Sequence, residues 1–181
     1  MALDIRSYFL TRDIAGHAVH LVRPAIERCM HTVLEGQKNI LFKRDHLAIV
    51  ILNPTIEYNR AMENSVGEPS LPVLHQVEFG DSNNWEHPYL KIAQSKARVT
   101  WRTGFQRRDV LNAPHLLREG DTPFYGSVIR EGLVVAVSGV QPYFDEMIAG
   151  WVADTCIALT RHMANAELTG DKGNFLGEKL R

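Results

Sequence analysis

Net charge is almost absent from this sequence, with 20 basic residues set against 21 acidic ones for a balance of -1. Such a chain has no overall field to draw nucleic acid or an anionic membrane, so neither is expected as a partner. Cysteine is scarce as well. Cys29 and Cys156 lie far apart and neither belongs to a C-x-x-C pair, which leaves zinc-ribbon and thioredoxin-like readings without support. Both fall on apolar helix faces and read as buried free thiols that behave as small hydrophobes.

Long apolar runs are missing too. No segment approaches the roughly 18 apolar residues of a membrane span. Residues 1–11 carry Asp4 and Arg6 and contain no apolar stretch of signal-peptide length, so the expectation is a cytoplasmic protein. There is no glycine-rich phosphate loop, no dinucleotide-binding fingerprint and no nucleophile elbow, which disfavours nucleotide enzymes and serine hydrolases.

What is present is the composition of a globular protein, 45% hydrophobic and 23% charged over 181 residues, enough for one self-sufficient core. The expected organisation is an N-terminal arm over 1–17, one domain over 18–167 and a C-terminal tail over 168–181. The tail carries Gly170, Gly173 and Gly177 with scattered lysines and shows no core pattern.

Apolar residues at Ala18, Leu21, Val22, Ala25, Ile26, Cys29, Val33 and Leu34 recur at helical spacing, with Gly36 as the stop. Pro24 within this run predicts a kink, or a helix that begins near it, because proline lacks an amide donor. Residues 46–53 are rich in branched side chains and closed by Asn53-Pro54, which predicts a buried strand at the sheet centre. Residues 55–72 read as an inserted loop. Residues 73–79 alternate as a strand, with Leu74 breaking the pattern. After turn chemistry at residues 80–84, residues 85–101 predict a helix that accommodates Pro88 in its first turn and ends at Gly104. Residues 107–122 form a long connection. Residues 124–130 and 133–137 predict a hairpin through Glu131-Gly132, and a last helix follows Pro142. The order helix, strand, strand, helix, strand, strand, helix predicts an α/β (α+β) fold, an antiparallel sheet of about four to five strands flanked by helices.

The segment Ile92-Ala-Gln-Ser-Lys-Ala97, then Gly120-Asp-Thr-Pro-Phe124, then Gly132 to Gly139 followed by Asp145-Glu146, resembles the GlcG/HbpS haem-binding (haem-degrading-like) family. The resemblance spans roughly residues 18–165 in element order, with recognisable text over about 90–150. It implies a profilin-like or PAS-like sheet, assembly into dimers or larger rings, and, as in some members of the family, binding of haem or a related tetrapyrrole.

Candidate chemistry gathers at a few positions. Ser138-Gly139 precedes a helix start, where glycine permits close approach and free amides suit a carboxylate or haem propionate; the alternative is a tight strand-to-helix turn that needs glycine. Lys96 shares a helix face with Thr100 and would pair with a carboxylate if that face lines a pocket, or else points to solvent. His87, before Pro88, is the candidate haem ligand, against a capping or surface role. His75 reads as a core or interface histidine, His162 as a partner of a helix C-terminus, and His17 with His20 lack a third ligand for a structural metal site. Asp145 and Glu146 stabilise a helix start, and Asp145 is also a candidate base. The basic stretch with Arg98, Arg102, Arg107 and Arg108 reads as a solvated helix end, or as a ligand-facing or subunit-facing patch.

Three functions stand open on this reading. The first is a homo-oligomeric small-molecule binding protein, with haem or another carboxylated ligand held by Lys96, Phe124, Ser138, Gly139 and His87. The second is an enzyme acting on a small carboxylic acid or ring compound, with Lys96, Asp145 and His87 as candidate catalytic residues. The third is a non-catalytic assembly subunit.

Overall fold

The computed structural model describes residues 10–33, 35 and 41–168. Its helices are α1 (Arg12–His31), α2 (Tyr58–Glu63), α3 (Tyr89–Thr103), α4 (Arg107–Val110) and α5 (Pro142–Leu168). Its strands are β1 (Leu47–Leu52), β2 (Val73–Phe79), β3 (Ser127–Arg130) and β4 (Leu133–Ser138). The strands form one antiparallel sheet in the order β2-β1-β4-β3. Both central strands, β1 and β4, are buried along their whole length. That follows from a sheet covered on both faces, which turns central strands into continuous apolar runs rather than alternating ones.

The two faces carry different cores. Leu47, Ile49 and Ile51 of β1 and Leu133, Val135 and Val137 of β4 face α1 and α5, where they meet Val19, Ile26, Ile148, Val152 and Cys156. Ala48, Val50, Leu52, Val134 and Ala136 face α3 and meet Tyr89, Ala93 and Ala97. Small residues on α3 and at Ala48 and Ala136 let this helix approach the sheet closely.

Leu74 marks an irregularity that its sequence pattern announces. His75 pairs with Ile51 and Val73 with Leu52, so Leu74 is the extra residue of a β-bulge. The bulge turns Val73 toward the α3 face while Leu74 packs with the opposite core.

Several expectations are corrected. The first helix begins at Arg12 with a Thr11 side-chain cap, so residues 12–17 belong to α1 rather than to an arm, and Ala15 is fully buried. Pro24 lies well inside α1, which ends at His31 with Thr32 as its C-cap. Leu21 and Val33, placed on the apolar stripe by spacing alone, are exposed, while Val19 and Met30 are buried. The proposed stop at Gly36 falls outside the described residues. The loop over 55–72 contains α2, pinned where the Trp101 indole donates to the Ile56 carbonyl (2.7 Å). The helix predicted from residue 85 starts at Tyr89, behind the short 3₁₀ turn Ser82–Asn84, and Pro88 is its N-cap rather than part of its first turn. The strand predicted from residue 124 starts at Ser127, and Phe124 is an exposed residue of the preceding segment. Cys156 is buried as expected, but Cys29 is only half-buried.

The basic stretch is also corrected. Arg107 is fully buried and the Arg102 side chain is 5% exposed. Arg102 donates to both Asp121 oxygens (2.7 and 3.4 Å) and to the Leu116 carbonyl (3.0 Å). The 107–126 connection folds back over α3 and supplies these acceptors, which local sequence does not reveal. No helix among the described residues is long and apolar enough to cross a membrane.

Candidate functional site

Beside the C-terminal end of β4 lies a cavity of about 390 Å³. Its wall includes all six candidates drawn from the sequence, namely Lys96 of α3, His87, Phe124, Ser138, Gly139 and Asp145 of α5, together with Lys43, Arg44, Tyr89 and Ile92. The lysine helix and the glycine bend therefore converge on one recess.

Lys96 and Asp145 form its buried floor. Lys96 Nζ donates to Asp145 Oδ2 and to the Val137 carbonyl, both at 2.8 Å, and the two side chains are 1% and 3% exposed. The solvent-directed alternative for Lys96 is thus set aside. The position of Lys96 is fixed from α3 outward: Ser127 Oγ donates to the Lys96 carbonyl (3.2 Å) and shares a 2.7 Å hydrogen bond with Thr100 Oγ1. Burial pushes the Lys96 ammonium below its ordinary pKa, and the attraction of Asp145 only partly opposes this. Burial likewise raises the Asp145 carboxyl, with Lys96 and the Val140 amide pulling the other way. Both groups are thereby moved toward their neutral forms.

Two glycines make this arrangement possible. Gly126, at φ +130°, faces the ion pair: a Cβ there would stand 2.5 Å from Asp145 Cβ and 3.0 Å from Lys96 Nζ. Gly139, at φ +150°, is pressed against β1, where a Cβ would lie 2.5 Å from Leu47 Cα and closer still to the His46 carbonyl. Between the two readings of Gly139, its missing side chain is accounted for by packing against β1.

The head of α5 is correspondingly occupied. Asp145 Oδ1 accepts from the Val140 amide (3.2 Å), so one donor expected to be free for an anion is held by the protein's own carboxylate. Gln141 ties the strand approach to this helix, its Oε1 accepting from the Lys43 amide (3.1 Å) and its Nε2 donating to the Leu41 carbonyl (3.3 Å). These bonds bring Lys43 and Arg44 to the rim. Arg44 lies over the Tyr89 ring, 5.6 Å from its centroid, and pairs with Glu86 at 3.4 Å. His87 is exposed, with its ring edge-on to Tyr89.

The other histidines singled out in the sequence lie outside the cavity wall. His75 is half-buried on β2 and its pKa is lowered by burial and by Arg12. His17, His20 and His162 are exposed, and among the described residues no group of three or more His, Cys, Asp or Glu side chains could hold a metal ion.

The chain matches no family model, no curated protein and no solved structure. Sequence reasoning missed Lys43, Arg44 and Tyr89, which carry no motif and reach the site only because β1 and α3 are neighbours in space. Gly126 did leave a signal, as a lone glycine beside a strand, which often marks close backbone approach.

Proposed function

We propose that this chain is a homo-oligomeric binding protein for a small carboxylated molecule, of the GlcG/HbpS type. The observation that supports this best is the charge around the cavity: Lys43 and Arg44 line it, Arg44 also pairing with the exposed Glu86, and the acid in its wall, Asp145, is already engaged by Lys96 and the Val140 amide. An anionic ligand would meet the Lys43 ammonium and the Arg44 guanidinium at the rim and apolar surface from Ile92, Phe124 and Pro142 in the wall. The volume of about 390 Å³ falls in the range of small-molecule sites. The homo-oligomer rests on the sequence resemblance.

Haem is one candidate ligand, and the donor set fits it. His87 supplies an imidazole for iron, and Lys43 and Arg44 supply cations for propionates. Bound haem would bring an iron centre able to take a further ligand; the protein's part is to hold it and exclude water. Titrating the protein with haemin and recording absorbance tests this arm, and calorimetric titration with small monocarboxylates and dicarboxylates tests the wider one. A Soret shift that is lost in His87→Ala is expected for haem. No Soret shift eliminates haem, no heat with any carboxylate as well overturns the binding reading, and a monomer by light scattering overturns the oligomer.

A second reading is favoured by the Lys96–Asp145 pair. A buried lysine and carboxylate in contact, each shifted toward neutrality, are suited to exchange a proton with a bound carboxylic acid or ring compound, with His87 as a further proton carrier. Turnover of a found substrate that survives both Lys96→Ala and Asp145→Ala would exclude it.

A further inference from the structure

Arg107 is a fully buried cation that enters no ion pair among the described residues. Its Nη2 donates to the Thr122 carbonyl, while Nε and Nη1 are buried with no hydrogen-bond partner. A guanidinium stays charged at any physiological pH, burial disfavours that charge, and the attraction of Asp121 opposes the penalty only in part.

Of the nearby carboxylates, Asp121 is engaged through both oxygens and Glu146 through one, its Oε2 being buried without a partner. Asp121 accepts from Arg102 through both oxygens and from the Arg118 amide (2.8 Å). Glu68 lies among Arg98, Arg102 and Arg118, and Glu146 Oε1 pairs with Arg108 at 3.3 Å. The surroundings are themselves basic. Thr122, which accepts from Arg107, donates its amide to Ser95 Oγ (3.0 Å), the residue before Lys96 on α3. Arg107 thus stands behind the segment that carries Phe124 into the cavity wall.

We propose that Arg107 anchors a second anion site, for a small oxyanion of the carboxylate or phosphate class, at the junction of α3, α4 and the 121–126 segment. Its two unpartnered nitrogens supply the donors, and the negative charge of the ligand supplies the missing compensation. The site does not depend on the cavity reading.

The test is a titration of the full chain labelled with ¹⁵N-arginine, following the Arg107 Nε–H resonance, which is assigned by its loss in Arg107→Met. Inorganic phosphate or acetate should move this resonance saturably while chloride at equal ionic strength does not, and the anion that saturates first identifies the class. Thermal midpoints should rise with the logarithm of that anion's concentration in the wild type and stay flat in Arg107→Met. A resonance indifferent to both anions overturns the site, most directly if Glu146→Gln moves it without added anion, since an internal pair with the unpartnered Glu146 Oε2 would then compensate the charge. A response lost in Lys43→Ala but kept in Arg107→Met would assign the anion to the cavity, overturning this proposal and leaving the cavity reading intact.

Discussion

Lys96 on α3 and Asp145 on α5 reach each other at 2.8 Å although they are 49 positions apart and their helices cover opposite faces of the sheet. The contact is made beside the end of β4, where Gly126 leaves the space and the Val137 carbonyl accepts the second lysine proton. Removing either partner strands a charge in the interior. Lys96→Met and Asp145→Asn should each destabilise by about 3–5 kcal/mol, while the double replacement should recover much of that loss. Denaturant unfolding of the three variants measures the coupling, and additive losses would show that the two groups do not depend on each other.

Gly126→Ala should destabilise by more than the roughly 1–3 kcal/mol of a strained backbone, because the added methyl also meets Asp145 Cβ at 2.5 Å. Gly120→Ala, at φ +86° with open space around it, carries the backbone strain without the collision. A midpoint comparison of these two variants separates the effects, and equal losses would mean that the ion pair yields.

His75 predicts a pH dependence below neutrality. Its folded pKa lies below the ordinary 6.5 through burial and then Arg12, so the unfolded chain takes up a proton first as pH falls. Stability from this group is present in full above pH 6.5, declines as pH drops toward the folded pKa, and is flat below it. Partial exposure makes the effect small. His75→Gln should flatten that part of the stability profile, and an unchanged slope between pH 6.5 and 5 would assign it to other groups.

The two thiols should differ in reactivity. Burial pushes the Cys156 thiol up to about 12, whereas Cys29 is only half-buried. Native protein should react with an aromatic disulfide reagent at Cys29 and release the second equivalent only on unfolding. Fast modification of Cys156 under native conditions would show that the α5 core opens readily.

Much of the fold was legible because burial repeats in sequence with the period of the local structure. The apolar run at 47–52, the alternation after Val73 and the glycine that ends α3 each follow from backbone geometry acting over a few residues. Even the exception at Leu74 was visible, as the residue that a bulge sets out of register. Element starts were less legible. Tyr89 and Ser127 open their elements later than composition suggests, and Arg12 opens α1 earlier than periodicity suggests, because caps and tertiary cover decide where backbone groups find partners.

The sequence by itself determined the alternating elements, the antiparallel sheet and the candidate polar residues, since hydrophobic period and turn chemistry are local properties. Only the tertiary structure decided that Lys96 and Arg107 are interior cations while His87 stays in solvent. A charged side chain has no periodic signature of burial. Whether it is desolvated depends on which distant segment lies over it, here β3 with its preceding segment and the head of α5, and on whether that segment brings an acceptor with it.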